Sequence, residues 1–230
     1  VLSPFLFNVF MEDLSDILYG TKIGCFVNGN CFNHLCYADD AVLLAPSPEA
    51  LQMLINLCFG YACDNDMKYN VKKSVTLAFM PPNLGNLHLP DIYLGEIQLK
   101  WVPQHKYLGV IICTDLSDNE DIVRQVKAVY LCGNILCKHF KSCNSSVKIE
   151  LFRTYMLNMY SCQLWCKYSV QTLQRLKVAF NNVFRALMAL PRGDSISQMY
   201  VRFNITTFNA VLRKSAFGTY MRLFNSSNQL

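Results

Sequence analysis

Asp39 and Asp40 are adjacent carboxylates. They sit behind Tyr37 and Ala38 in the stretch Asn33-His34-Leu35-Cys36-Tyr37-Ala38-Asp39-Asp40-Ala41-Val42-Leu43-Leu44-Ala45. Apolar runs on both sides read as a β-hairpin with the acids in its turn. Two unpaired acids flanked by core-type residues call for a cation. Mg²⁺, a hard ion that takes oxygen ligands, is the most economical one, with Mn²⁺ as a substitute. Two such ions about 3.5–4 Å apart clamp a triphosphate for in-line attack, so the chemistry open to this pair is nucleotidyl transfer. Taken alone, the pair also fits an Asx-type turn in which both acids cap backbone groups.

Successive strand residues face opposite sides, so neighbouring acids serve one metal only where the backbone turns. Asp39, at the strand end, is the expected direct ligand, and Asp40 a second ligand or an outer-shell support. Tyr37 offers a ring for packing on a sugar or base, an interaction of about 1–3 kcal/mol per base. Lys73 carries charge that would neutralise or protonate a leaving pyrophosphate. As a bare residue it is equally a solvated loop lysine beside Lys72, and Ser3 is equally a plain helix N-cap.

The elements that must position these residues can be read from periodicity. Ser3-Pro4 starts a helix whose apolar positions Leu6, Val9, Phe10, Leu14, Ile17 and Leu18 run to Gly20. Strands at 23–27 and 31–37 flank the hairpin signal Asn28-Gly29, and 41–45 leaves the acid pair. Ser47-Pro48 opens a second helix. Residues 71–80 read as a strand ended by Pro81-Pro82-Asn83, 92–94 and 96–101 as a hairpin, and 107–113 as a further strand. Past about residue 115 the pattern is helical: 117–140, 146–168, 170–190 and 208–224. The expected organisation is therefore an α+β domain over 1–114 and an all-helical domain over 115–230, with the boundary near 113–117.

Bulk properties narrow the class. The 230 residues are 52% hydrophobic and 16% charged. Such an apolar surface is expected to be covered by further sequence or by a ligand. No run of 18 uncharged apolar residues appears, so no membrane span is expected. The chain starts at Val1 with helix already under way, which suggests a piece of a longer polypeptide. The eleven cysteines lack Cys-x-x-Cys spacing. They read as reduced core thiols of an intracellular protein, in nucleus or cytoplasm. Cys137, His139 and Cys143 match no common zinc spacing. The net charge of +5 is unevenly spread. Residues 1–120 hold 6 Lys+Arg against 13 Asp+Glu, a net of −7; residues 121–230 hold 15 against 3, a net of +12. An acidic half followed by a basic half suits a metal-using site next to a phosphate-binding surface.

Four stretches in one order resemble the reverse transcriptase domain of non-LTR (LINE-type) retrotransposons. Leu2-Ser3-Pro4-Phe5-Leu6-Phe7-Asn8 is similar to the helix under the template and incoming nucleotide. Tyr37-Ala38-Asp39-Asp40 resembles the metal-binding hairpin, and Asn70-Val71-Lys72-Lys73-Ser74 the segment whose lysine approaches the triphosphate. Lys106-Tyr107-Leu108-Gly109-Val110 resembles the primer-gripping segment. The resemblance implies an α+β fold: the later part of a polymerase palm, an antiparallel sheet with packed helices, followed by a helical thumb. It implies RNA-directed DNA polymerase activity that uses deoxynucleoside triphosphates on an RNA template and DNA primer. It places Ser3, Pro4, Phe5, Asn8 and Tyr37 at the template–nucleotide pair. Lys106, Tyr107, Leu108 and Gly109 fall on the primer, Gly109 allowing close approach. Arg124, Lys127, Lys138, Lys141, Lys148, Arg153, Arg175 and Lys177 would then face an RNA–DNA duplex, read by shape and backbone. The family's first catalytic acid, its fingers and an earlier palm segment match nothing in these 230 residues, so the polypeptide alone is expected to be inactive. A non-catalytic polymerase-like nucleic-acid-binding module is the alternative.

Overall fold

The computed structural model describes residues 3–81 and 88–227. They fall into two compact units, Val1–Pro103 and Gln104–Leu230. The class is α+β, with small sheets first and helices after them.

In the first unit α1 (Ser3–Phe10) and α2 (Glu12–Gly20) lead into two consecutive hairpins. β1 (Cys25–Val27) pairs with β2 (Asn30–Phe32) around Asn28-Gly29, whose φ values of 51° and 83° suit a two-residue hairpin turn. β3 (His34–Tyr37) pairs with β4 (Asp40–Leu43). α3 (Pro48–Asp64) starts where Ser47 caps it, its hydroxyl accepting from Ala50 N at 3.3 Å, with Pro48 in the first turn. β5 (Val75–Thr76), β6 (Ile92–Leu94) and β7 (Ile97–Trp101) form a sheet in the order β5-β7-β6, with β5 parallel to β7 and β6 antiparallel to it.

α3 joins the two cores of this unit. Leu54 and Cys58 pack on Met11, Leu14 and Leu18, while Ile55 packs on Ile92, Leu94 and Leu99. Leu43 of β4 touches both clusters and so ties the second hairpin to the helix.

The second unit opens with the hairpin β8 (Gln104–Tyr107) and β9 (Val110–Cys113), which packs on α4 (Asn119–His139). α5 (Ser145–Met156), a 3₁₀ turn at Cys162–Leu164, α6 (Val170–Met188), α7 (Ile196–Arg202) and α8 (Phe208–Phe224) complete it. Asn144, Ser169 and Thr207 cap α5, α6 and α8 through side-chain oxygens. The core is aromatic: Phe152, Phe180, Phe184 and Phe208 are fully buried, with Phe152 edge-on to Phe180 and Phe184 at 5.1 and 4.9 Å. α4 lies against α6 at Gly133, where a β-carbon would fall 2.5 Å from Val183 Cγ2. Among the described residues no helix is long and apolar enough to cross a membrane.

Several elements differ from the sequence expectation, each for a local reason. The helix expected from Ser3 to Gly20 is interrupted at Met11. The strand expected at 31–37 splits at Asn33, whose buried amide donates to Leu18 O at 2.6 Å and accepts at Oδ1 from the His34 ring. The strand expected at 71–80 shrinks to Val75–Thr76, since 71–73 form a turn closed by Lys73 N and Ser74 N on Asn70 O. The strand expected at 107–113 is a hairpin, turning at Leu108-Gly109 with φ values of 45° and 84°. The helix expected at 146–168 stops at Met156, because Ser161 turns left-handed and the backbone at Cys166 and Lys167 is captured by Asp118. α7 carried no clear sequence signal. Pro82 and Asn83 of the expected strand stop lie outside the described residues.

The aromatic core yields a stability test. Phe180→Ala should cost about 3–5 kcal/mol, whereas Val201→Ala, at a site 83% exposed, should stay within about 0.5 kcal/mol. Urea unfolding of both variants measures the difference.

Candidate active site

The hairpin β3–β4 is anchored at its base, the end far from the turn. His34, 8% exposed, sits edge-on to Tyr19 at a centroid distance of 4.9 Å, and its cross-strand partner Leu43 enters the core. Alternation places Cys36 and Ala41 on the same side as His34, where both are exposed. Desolvation pushes the Cys36 thiol above its ordinary pKa and lowers that of the His34 ring. Leu35, Tyr37, Asp40 and Val42 share the opposite face, and Tyr37 is 65% exposed.

Ala38 and Asp39 form the two-residue turn, Ala38 with φ 51°, and Asp40 begins β4 directly across from Tyr37. Only Asp39 is therefore in the turn, whereas the sequence placed both acids there. Both carboxylates are exposed, and neither has a hydrogen-bond or ion-pair partner among the described residues. The backbone reversal frees the two side chains from strict strand alternation. An exposed pair of unpartnered oxygen ligands suits a hard divalent cation. Among the described residues no group of three or more His, Cys, Asp or Glu side chains is arranged to hold a metal.

Lys73 lies in the tight turn 71–73, exposed and without an ion-pair partner among the described residues. Ser3, Pro4, Phe5 and Asn8 belong to α1 by backbone, and their side chains lie outside the described residues.

Lys106, Tyr107, Leu108 and Gly109 form the tip of hairpin β8–β9, with Tyr107 paired to Val110. Tyr160 donates its hydroxyl to Leu108 O at 2.7 Å, and its ring covers Gly109, where a β-carbon would meet Cε1 at 3.0 Å. A pocket of about 370 Å³ beside the tip is lined by Lys106, Gly109, Arg124, Tyr155, Asn158 and Tyr160 among others.

The hairpin is held from below by Asp121, only 1% exposed in the first turn of α4. Its Oδ1 accepts from Ile111 N at 3.0 Å and Arg124 Nε at 2.6 Å. Its Oδ2 accepts from Arg124 Nη2 at 3.2 Å and Trp165 Nε1 at 2.9 Å, with Ser161 Oγ also at 3.2 Å. Burial alone would raise this carboxyl, but hydrogen bonds from Arg124, Ile111 N–H and Trp165, with the Arg124 charge, hold it below its ordinary pKa.

The comparison with known proteins bears on this arrangement. Residues 1–112 match the family described as reverse transcriptase (RNA-dependent DNA polymerase). The chain is also 30% identical over 115 residues to the retrovirus-related Pol polyprotein from type-2 retrotransposable element R2DM of Drosophila melanogaster. Residues 1–112 belong to a reverse transcriptase domain of the non-LTR retrotransposon type. The alignment covers 47% of this chain and 11% of the Drosophila protein. The matched residues of the reverse transcriptase run through the acid hairpin and end inside β9.

Two of the eight basic residues expected at a duplex are engaged within the chain itself. Arg124 pairs with Asp121, and Arg153 reaches Glu150 and Asn204 O. Lys127, Lys138, Lys141 and Arg175 are exposed and unpartnered among the described residues; Lys148 and Lys177 are half-buried. Asp121, Tyr160, Ser161 and Trp165 were missed in sequence. One signal was present: Asp121 is one of three acids in an otherwise basic half.

Asp121 makes stability acid-sensitive. Its carboxyl is depressed on folding, so its contribution is complete above the ordinary value of 3.8 and is lost as pH falls below it. Asp121→Asn should cost about 2–4 kcal/mol at pH 7, and the gap to the parent protein should narrow in denaturation curves taken at progressively lower pH.

Proposed function

We propose that this chain supplies the metal-binding and primer-contacting parts of an RNA-directed DNA polymerase that joins a deoxynucleoside triphosphate to a primer 3′-hydroxyl. The observation that carries this reading is the exposed, unpartnered pair Asp39 and Asp40 at the tip of a hairpin anchored at its base by His34 and Leu43, within sequence of the reverse transcriptase family.

The donor set fits a hard ion: Asp39 would be a direct ligand and Asp40 a second ligand or outer support, for Mg²⁺ or Mn²⁺. Bound there, such ions would lower the cost of charge that develops on the reacting phosphate. The chain's own residues bind and orient. Tyr37 shares the open face with Asp40 and offers its exposed ring to a primer-end sugar or base. Lys73 meets charge on the departing pyrophosphate. Ser3, Pro4, Phe5 and Asn8 lie under the template–nucleotide pair, and Lys106 to Gly109 hold the primer backbone. The helical unit brings Lys127, Lys138, Lys141 and Arg175 to an RNA–DNA duplex. Two carboxylates do not complete a two-metal site, so the 230-residue polypeptide by itself binds primer–template without extending it.

In a polypeptide that joins this segment to a complete polymerase domain, Asp39→Asn should lower primer extension by orders of magnitude and leave primer–template affinity nearly intact. Steady-state extension and fluorescence anisotropy on the same preparation separate the two, and equal loss of both would count against a metal role. Primer extension by the 230-residue chain that vanishes on Asp39→Ala would refute its inactivity. Four phosphate contacts should weaken duplex binding by about 10²-fold between about 50 and 200 mM salt. A flat salt response would remove the helical unit from the duplex.

A further inference from the structure

The tip of hairpin β8–β9 is braced at two points, and both braces meet at Ser161. On one side Asp121 accepts Ile111 N at 3.0 Å. On the other, Tyr160 donates to Leu108 O at 2.7 Å and lays its ring over Gly109. Ser161, between them, is buried with its hydroxyl 3.2 Å from Asp121 Oδ2 and its backbone at φ 65°. An L-residue occupies that left-handed region only when its surroundings impose it. Here the surroundings are Asp121, Arg124 Nη2 at 3.4 Å from Ser161 Oγ, and the Trp165 indole on the same carboxylate. The strained residue directs Tyr160 back over the turn.

The tip itself cannot supply this order. Leu108 and Gly109 both have positive φ, and Leu108, an L-residue with a full side chain, is disfavoured there at 45°. A buried carboxylate with this many donors is also an expensive way to support a bare surface hairpin, since a packed apolar contact would serve stability as well. Tyr160 is 56% exposed, so its ring contributes little to the core and its contact with the tip is the larger part of what it does.

We infer that Tyr160 is a positioning residue for the primer strand, and that Asp121, through Ser161, is the fixed point that aims it. Tyr160 sets where Leu108 O and the Gly109 backbone stand, and thereby the wall of the pocket that Lys106 and Gly109 share with Tyr155 and Asn158. This rests on the reading of residues 106–109 as a primer contact.

The test uses the 230-residue chain, an RNA template annealed to a recessed DNA primer, fluorescence anisotropy, amide hydrogen exchange and thermal unfolding. Tyr160→Phe keeps the ring and removes only the hydroxyl. It should weaken primer–template binding about 3–10-fold, speed exchange at Gly109 to Ile111, and leave the thermal midpoint unchanged. Lys106→Ala should weaken binding without changing exchange. If Lys106→Ala has no effect, the primer-contact reading falls, and this inference with it. If Lys106→Ala weakens binding but Tyr160→Phe does not, the positioning role alone is overturned. Weaker binding that tracks a lower thermal midpoint in Tyr160→Phe also overturns it, because the residue would then be merely structural.

Discussion

A strand pair anchored at its base has its register, and so the position of its tip, set by the residues that pack there. That constraint governs the first unit. His34 and Leu43, paired across the base of β3–β4, pack inward and fix its register, and the ladder then carries Tyr37 and Asp40 out to the exposed tip. A slip of one residue would turn Leu43 out of the two clusters it joins. Exposure of the acid pair thus follows from packing at the hairpin's base. The acids have no side-chain partner among the described residues, and their hairpin is held at the opposite end by His34 and Leu43.

Carboxylates in this chain illustrate how setting decides role. Asp39 and Asp40 are exposed with no polar partner among the described residues, while Asp121 is buried with donors on both oxygens. The first arrangement leaves lone pairs for an incoming cation. The second consumes them, and its product is rigidity: one side chain joins a hairpin, a helix N-terminus and the irregular segment after α5. The same segment is also fastened by Asp118, whose Oδ2 accepts Cys166 N at 2.7 Å and Lys167 N at 2.6 Å. Two acids within one turn of each other thereby organise the entry to the helical unit.

Much of the fold was legible because it follows from periodicity and caps. Ser47-Pro48 marked α3, Asn28-Gly29 marked the first hairpin, and the apolar repeat marked α8 at its observed ends. What escaped was set by contacts distant in sequence. Nothing near Asn33 says that its amide will meet Leu18 O, fifteen residues back, and divide a strand. Nothing in 157–169 says that Asp118 and Asp121 will draw it out of helical form. Leu108-Gly109 is not a standard turn dipeptide, so a second hairpin was read as one strand. The division of the chain shows the same lesson. Composition changes near residue 115, yet β8–β9 groups with the helices, because Asp121 and Tyr160 bind it there. At the acid hairpin the residue types announced themselves, while the supports of the second hairpin are ordinary tyrosine, serine and tryptophan, whose meaning lies only in where they converge.

The break at Asn33 separates two neighbouring hairpins into independent ladders. Phe26 and Val27 of β1 are 63% and 56% exposed, and Asn28-Gly29 ends in open space. The ladder that carries the carboxylates begins only after the amide lock on Leu18, so length added at that outer tip is absorbed before it reaches them. The chain therefore offers a permissive site for a fluorophore or an affinity handle a short distance in sequence from its most demanding residues.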